Sequence, residues 1–177
     1  MKRREMLIAG AALLTASSLR AQAAGPVYVA TYLDVRPTST RAGAALAALY
    51  ITSDFSVVNV YENSHSTKPL LYKITGVWGN HEGSMLLWCL VSASFGAIFA
   101  TLRGKQSLGL WSRTIGVQGL VTAGALIYTL FLSNPFARLD PAPMLGSGLN
   151  PLLQDPALAA HPPLLYLGYV GMSVPFS

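Results

Sequence analysis

"GSMLLWCLVSASFGAIFATL", residues 83–102, is twenty residues long and contains no charged side chain. A helix rises about 1.5 Å per residue, so this stretch is long enough to cross a hydrocarbon core of about 30 Å. A second run without charges occupies residues 114–137. The sequence therefore predicts a mainly α fold with membrane-spanning helices over 83–102 and 114–137.

The composition agrees with a membrane protein. The chain is 52% hydrophobic and only 11% charged, whereas about a quarter of the residues in soluble domains are charged. Its net charge of +5 does not indicate nucleic acid as a partner, because the positive side chains gather at the N-terminus and between the two runs. The single cysteine, Cys89, excludes an internal disulfide and a motif for covalent haem attachment.

The charges around the two runs predict their orientation. Arg103, Lys105 and Arg113 lie in the short connection between them, which carries no acidic residue. Loops rich in lysine and arginine stay in the cytoplasm, so this connection is expected there. His81 and the segment 138–163 are then expected at the outer face of a multi-pass protein that is embedded in lipid.

The two ends of the chain have different patterns. Residues 1–23 have a basic start, an apolar centre and a small-residue cleavage site, which predict an export signal or an anchor. Residues 24–50 read as a strand, "VYVATYLDV" at 27–35, followed by an alanine-rich helix, and thus as a small α/β piece. A third apolar stretch runs from residue 164 to Ser177, and we expect it to be an incomplete third span in a chain that is truncated, fused or frameshifted.

The stretch "WGNHEGSMLLW" at residues 78–88 places an imidazole just before the first apolar run. If the helix begins near Trp78, then Trp78, His81, Met85 and Trp88 share one face. Asn80 is a candidate N-cap, and tryptophans are common where helices leave the bilayer. Two interpretations stay open: an ordinary helix end, or an aromatic and imidazole surface for a flat apolar ligand.

The stretch "AHPPLLYLGY" at residues 160–169 carries the second candidate histidine. Pro162 favours an extended backbone at His161, and both prolines suit the first turn of a helix that follows. His161 would then lie on a stiff segment at the outer surface. It is a candidate metal ligand, for haem iron or another metal, or else it hydrogen-bonds within its own loop.

Two long blocks, "SDFSVVNVYENSHSTKPLLYKITGVWGNHEGSMLLW" and "LNPLLQDPALAAHPPLLYLGYVGMSVPF", closely resemble the CcmF family of cytochrome c-type biogenesis proteins, which includes CycK and NrfE. The resemblance covers about residues 51–177. It implies a polytopic protein of the bacterial inner membrane that belongs to the haem lyase of cytochrome c maturation. Such proteins receive haem from the chaperone CcmE, work with CcmH-type subunits and join haem to apocytochrome c outside the membrane.

The resemblance also implies roles for individual residues. His161 corresponds to the first external haem ligand, while Trp78, His81 and Trp88 are expected to contact the haem cofactor, and no residue is a convincing catalyst. The tryptophan-rich WWD segment and the second external histidine of the family are expected after Ser177, so we expect no lyase activity from this polypeptide alone. Two other functions stay open: a transmembrane transporter segment for haem or a small molecule, and a secreted α/β module with a membrane anchor.

Overall fold

The computed structural model describes residues 40–102, 104, 107–148, 150–151 and 154–177. These residues are mainly helical, as predicted, and no strand occurs among them beyond one isolated bridge. The predicted export signal at 1–23 and the predicted strand at 27–35 lie outside the described residues. The mainly α character is therefore confirmed for the described part of the chain.

Two short helices follow the first helix, and the long helices come after them. Helix α1 occupies residues 40–52, within the alanine-rich stretch where the sequence predicts a helix. The others are α2 (Val58–Asn63), α3 (Leu70–Gly76), α4 (His81–Thr101), α5 (Leu108–Phe131), α6 (Pro156–Gly171) and α7 (Ser173–Phe176). In the described part of the chain, α4 and α5 are long and apolar enough to cross a membrane, with mean hydropathies of 1.7 and 1.5.

Apolar side chains from α1, α2 and the start of α4 form a core at one end of the long helices. Its buried members are Leu46, Tyr50, Phe55, Val57, Val60, Val77 and Leu86. The chain that follows α5 returns to this core, because Val58 N donates to Ala137 O at 2.9 Å and Leu139 N donates to Ser56 O at 2.8 Å. The short helices and the segment after α5 thus form one layer over the N-terminus of α4.

Helices α4 and α5 pack against each other along their length in opposite directions. Ser92 and Thr122 hydroxyl oxygens lie 2.8 Å apart, and Cys89 Sγ lies 3.6 Å from Thr129 Oγ1. Gln118, which is 1% exposed, donates from Nε2 to Ser92 Oγ at 3.3 Å. These side chains form a polar seam, defined by Cys89, Ser92, Gln118, Thr122 and Thr129, between two apolar helices.

The bounds of the second long helix differ from the predicted span. It begins at Leu108 rather than 114 and ends at Phe131 rather than 137. The predicted span begins after Arg113 because it is defined as a run without charged residues. However, Ser107 Oγ accepts from Leu110 N at 3.3 Å and starts the helix earlier, which leaves Arg113 exposed on its surface. The first span, predicted at 83–102, differs by only two residues at its start and one at its end.

Helix α6 contradicts the predicted extended backbone at His161. The helix starts at Pro156, so His161, Pro162 and Pro163 all lie inside it. Asp155 Oδ1 accepts from Ala157 N at 2.8 Å, and this N-cap followed by proline at the first helical position fixes the start. The local bias against helix before a proline is overridden by this earlier start. The apolar stretch from residue 164 continues α6 to Gly171 and then enters α7.

Candidate functional site

A four-residue turn at 77–80 joins α3 to α4 and supplies the cap of α4. Asn80 has an extended backbone, and its Oδ1 accepts from Gly83 N at 2.7 Å. Glu82 lies in the first turn, where the helix dipole favours a negative charge. The predicted N-cap is confirmed, but the helix begins at His81, so Trp78 lies in the turn and not on the predicted helical face.

A buried polar network holds this turn against the short helices. Tyr50 Oη donates to Asn59 Oδ1 at 2.7 Å and accepts from Asn80 Nδ2 at 3.0 Å, and Asn59 Nδ2 donates to Asn80 Oδ1 at 2.7 Å. Tyr50 is fully buried and Asn59 is 4% exposed. Burial, and after it the charge of Glu82, raises the pKa of Tyr50, so this phenol stays neutral and keeps its proton for Asn59.

An open cleft lies beside the turn, between the N-terminus of α4 and the middle of α6. Its volume is about 380 Å³, near the lower end of small-molecule sites. It combines two aromatic rings, one imidazole, two polar side chains and a proline. The lining residues are Trp78, Gly79, Asn80, His81, Ser84, Pro162 and Tyr166.

His81 is the imidazole of this cleft, and it is exposed. Its Nε2 lies 3.3 Å from Tyr128 Oη on α5, and the two rings meet edge to face with centroids 6.1 Å apart. Because an imidazole has two ring nitrogens, the contact with Tyr128 orients the ring and leaves Nδ1 for another partner. The geometry therefore presents an oriented imidazole at the membrane boundary predicted for this helix end.

Trp78 connects the two walls of the cleft through hydrogen bonds at its backbone oxygen and its indole nitrogen. Its backbone oxygen accepts from Ser84 Oγ on α4 at 2.8 Å. Its indole Nε1 donates to Ala159 O on α6, also at 2.8 Å. The side chain is half-buried, so one part of the ring packs in the protein while another part borders the cleft.

The four predicted site residues are only partly brought together. Trp78 and His81 line the same cleft, whereas His161 is exposed on α6 and directly precedes the lining residue Pro162 without lining the cleft itself. Trp88 is half-buried on α4, two turns or about 10 Å further along its axis than His81. The cleft and the exposed imidazole of His161 are therefore neighbouring features, and Trp88 lies apart from them.

The residues present fit a haem-type ligand in their chemistry. Trp78 and Tyr166 offer flat apolar surfaces, and His81 and His161 offer exposed imidazoles that bind iron in many haem proteins. The cleft is open on one side, so it provides one wall for a planar group and leaves an edge in water. Among the described residues, no group of three or more histidine, cysteine or acidic side chains forms a site for a bare metal ion.

Sequence reasoning missed several residues of this region. Tyr166 lies four positions after Pro162, on the same face of α6, and the i, i+4 spacing of a helix that includes Pro162 is a signal that could have found it. The signal for the start of α6 at Pro156 is the Asp155-Pro156 pair, a capping residue followed by proline. Asn59 and Tyr128 reach the site from distant parts of the chain, and no local pattern marks them.

Comparisons with known proteins agree with one another. Residues 78–177, more than half of the chain, match the family described as "Cytochrome C assembly protein". The chain is 59% identical over 134 residues to the cytochrome c-type biogenesis protein ccl1 of Rhodobacter capsulatus, an alignment that covers 76% of this chain and 20% of that protein. No solved structure gives a significant match.

Two further relatives show the same coverage. The cytochrome c-type biogenesis protein CcmF of Escherichia coli K12 is 44% identical over 139 residues, which are 77% of this chain and 22% of that protein. The cytochrome c-type biogenesis protein NrfE of Haemophilus influenzae is 42% identical over 132 residues, which are 75% of this chain and 21% of that protein. The chain thus spans about a fifth of the length of the curated relatives it matches.

Proposed function

Because this chain belongs to the cytochrome c assembly protein family, we propose that it acts in cytochrome c-type biogenesis by binding haem at the outer face of the bacterial inner membrane. The observation that carries the proposal is the cleft at the N-terminus of α4, which unites Trp78 and His81 with the segment of α6 that follows His161. The first residue of this cleft is also the first residue of the family match.

In this proposal the side chains have separate roles. His161 supplies an imidazole to the haem iron, since it is exposed on a helix that also borders the cleft. Trp78 and Tyr166 contact the flat apolar face of the porphyrin, and His81 offers a second imidazole near the aqueous edge. Trp88, which lies deeper along α4, contacts the ligand only if haem extends down this helix. The haem supplies the vinyl groups that react with cysteine thiols, and this chain holds and orients it.

The exposed apolar side chains of the long helices support a position in the membrane. Helix α5 exposes large side chains such as Leu120, Val121, Ile127 and Phe131 along its length. Water-exposed apolar surface of this extent is unfavourable, whereas lipid or neighbouring membrane helices remove the penalty. The positive connection between α4 and α5 then faces the cytoplasm, which puts the cleft and His161 on the periplasmic side.

The partners follow from the same proposal. A protein that holds haem at the outer face needs a donor and an acceptor there, and the family resemblance names the chaperone CcmE and apocytochrome c, together with CcmH-type subunits. The open side of the cleft is compatible with transfer, because a partner protein covers the second face of the haem without displacing the first wall.

Haem content of the purified chain tests the proposal. We would co-produce this chain with a CcmE-type chaperone, purify it from membranes in mild detergent, and measure haem per polypeptide from the absorbance of the pyridine complex. His161→Ala is expected to lower the haem content to the background of a preparation without chaperone. His65→Ala is the matched control, because His65 contacts Thr67 in a loop at 2.9 Å and borders no described cleft. Equal haem contents in the two variants would refute the role of His161.

The orientation has its own test. Alkaline phosphatase is active only outside the cytoplasm, so fusions after Ala142 are expected to be active and fusions after Gly104 inactive. The reverse pattern would place His161 in the cytoplasm and end the proposal that it receives haem at the outer face.

A further inference from the structure

Helix α6 contains two consecutive prolines at positions where the helix needs backbone donors. Pro162 and Pro163 lie inside the helix that runs from Pro156 to Gly171. Proline has no N–H, so the carbonyl groups four residues earlier, those of Leu158 and Ala159, lose their usual helical donors. The ring of a proline inside a helix also crowds the carbonyl four residues earlier.

The carbonyl of Ala159 receives its donor from outside the helix. Trp78 Nε1 donates to Ala159 O at 2.8 Å, across 81 positions of sequence. Ala159 is 8% exposed, so water does not readily replace this donor. We call this contact the indole bridge, and it replaces the one backbone hydrogen bond that Pro163 removes.

The donor is itself held in place by the N-terminus of α4. Ser84 Oγ donates to Trp78 O at 2.8 Å, and Asn80, two residues after Trp78, caps α4 through Gly83 N. An indole has only two side-chain torsions and thus reaches across the cleft at a small entropic cost. The bridge therefore transmits the position of α4 to the turn of α6 that carries His161.

We propose that Trp78 is a positioning residue that acts through Ala159 O: its indole N–H replaces the backbone donor lost at Pro163 and thereby fixes the turn of α6 that presents His161. The effect of Trp78 on the structure of α6 requires no assumption about function, whereas its effect on haem binding rests on the function proposed above. Simple ring packing is the alternative role of Trp78, and it makes different predictions for the two prolines.

The chain offers a rescue experiment that separates these roles. Trp78→Phe keeps an aromatic ring and removes the donor. Pro163→Ala restores an N–H that bonds Ala159 O within the helix, whereas Pro162→Ala restores one that bonds Leu158 O. The bridge hypothesis predicts that Pro163→Ala rescues Trp78→Phe and that Pro162→Ala does not, because only the first returns a donor to the carbonyl that lost it.

The first readout is hydrogen exchange of α6 in the full chain, in detergent and without haem. Trp78→Phe is expected to raise the exchange rate of the α6 amides about tenfold, as expected for a buried acceptor left without its partner. In the double variant Trp78→Phe/Pro163→Ala the exchange rate of the α6 amides should return to the wild-type value. In the double variant Trp78→Phe/Pro162→Ala the exchange rate should stay high. Trp111→Phe is the matched aromatic control and leaves α6 unchanged, because Trp111 packs against Ala100 at the opposite end of α4.

Three results would overturn the proposal: unchanged exchange in Trp78→Phe, rescue by both prolines alike, or rescue by neither. If Trp78→Phe alone does not fold, recovery of a folded chain on adding Pro163→Ala supports the bridge, and failure to recover overturns it. The second readout is haem content, measured as above, which should fall in Trp78→Phe and recover with Pro163→Ala. If exchange follows the predicted pattern while His161→Ala keeps its haem, the bridge stands and the proposed function fails.

Discussion

Replacing Asn80 with alanine removes the residue that joins the cap of α4 to the buried polar network. Its Oδ1 accepts from Gly83 N and from Asn59 Nδ2, both at 2.7 Å. Its Nδ2 donates to Gly76 O at 2.8 Å and to Tyr50 Oη at 3.0 Å. The backbone groups of Gly83 and Gly76 fix which end of the Asn80 amide is oxygen and which is nitrogen, because one can only donate and the other can only accept.

The expected loss follows from two contributions. Loss of an N-cap costs about 1 kcal/mol in the free energy of unfolding. Asn59 is 4% exposed and loses its shortest acceptor, which costs a further 1 to 2 kcal/mol or so because water does not replace it fully. The sum of about 2 to 3 kcal/mol corresponds to a fall in melting temperature of roughly 4 to 12 °C for a chain of this size.

The chain contains its own probe for this measurement. Cys89 is the only cysteine in the sequence and is fully buried, so a thiol-reactive fluorophore labels it only when the helices separate. The melting temperature of the detergent-solubilised chain is read from the rise in fluorescence on heating. Asn80→Ala leaves Cys89 itself unchanged, more than two turns of helix further along.

Asn80→Asp is the matched variant that keeps both contributions and removes only the donor side of the amide. Aspartate keeps an oxygen for Gly83 N and Asn59 Nδ2, and it caps helices as well as asparagine does, but it has no donor for Tyr50 or Gly76. We expect a melting temperature between those of the wild type and Asn80→Ala. A fall of less than about 2 °C for Asn80→Ala, or an equal fall for both variants, would refute the assignment of the loss to the contacts of Gly83 N and Asn59 Nδ2 with Asn80 Oδ1.

Three further outcomes are expected. Gly83→Ala should prevent stable folding, because a Cβ atom at this position overlaps Val77 O. In the control variant Gly124→Ala the new Cβ atom meets nothing within 4 Å, so the melting temperature should stay the same or rise. Similar melting temperatures for the two variants would contradict the close approach at Gly83. Gln118→Leu should lower stability by about 1 kcal/mol, the usual scale for polar contacts between membrane helices, and an unchanged Cys89 labelling curve would contradict this. Burial lowers the pKa of Lys68 from 10.5 to about 8. The folded chain therefore releases this proton before the unfolded chain does, and the free energy of unfolding should increase as the pH rises between these two values. Competitive acylation of Lys68, read by mass spectrometry, should give a midpoint near pH 8, and a midpoint above about 10 would contradict the shift.

The features that the sequence predicts well are those encoded by neighbouring residues. The two apolar runs correspond to α4 and α5, and Asn80 caps α4 because a capping side chain followed by an acid in the first turn is a local signal. The predictions that fail involve competing local signals. Arg113 marks the edge of an uncharged run, but charged side chains extend easily from a helix surface and do not end the helix. Pro162 suits a helix start, but Asp155 and Pro156 begin that helix earlier.

The site itself is only partly predictable for a different reason. Trp78 and His81 are close in sequence, so their shared cleft can be anticipated, but the wall formed by Pro162 and Tyr166 lies about eighty residues away. The contacts of Tyr50 with Asn59 and Asn80 likewise depend on how the short helices pack. Such contacts leave no periodicity in the sequence, since each involves single residues on different elements.

The polar seam between α4 and α5 has a consequence for the register in which these helices pack. Apolar surfaces slide past one another with little penalty, so two such helices could pair at several vertical offsets. A shift by one turn would separate Ser92 Oγ from both Thr122 Oγ1 and Gln118 Nε2, and hydrocarbon offers these groups no replacement partners. The few hydroxyl and amide groups thus select one register of α4 against α5, even though each contributes little to the stability of the helix pair.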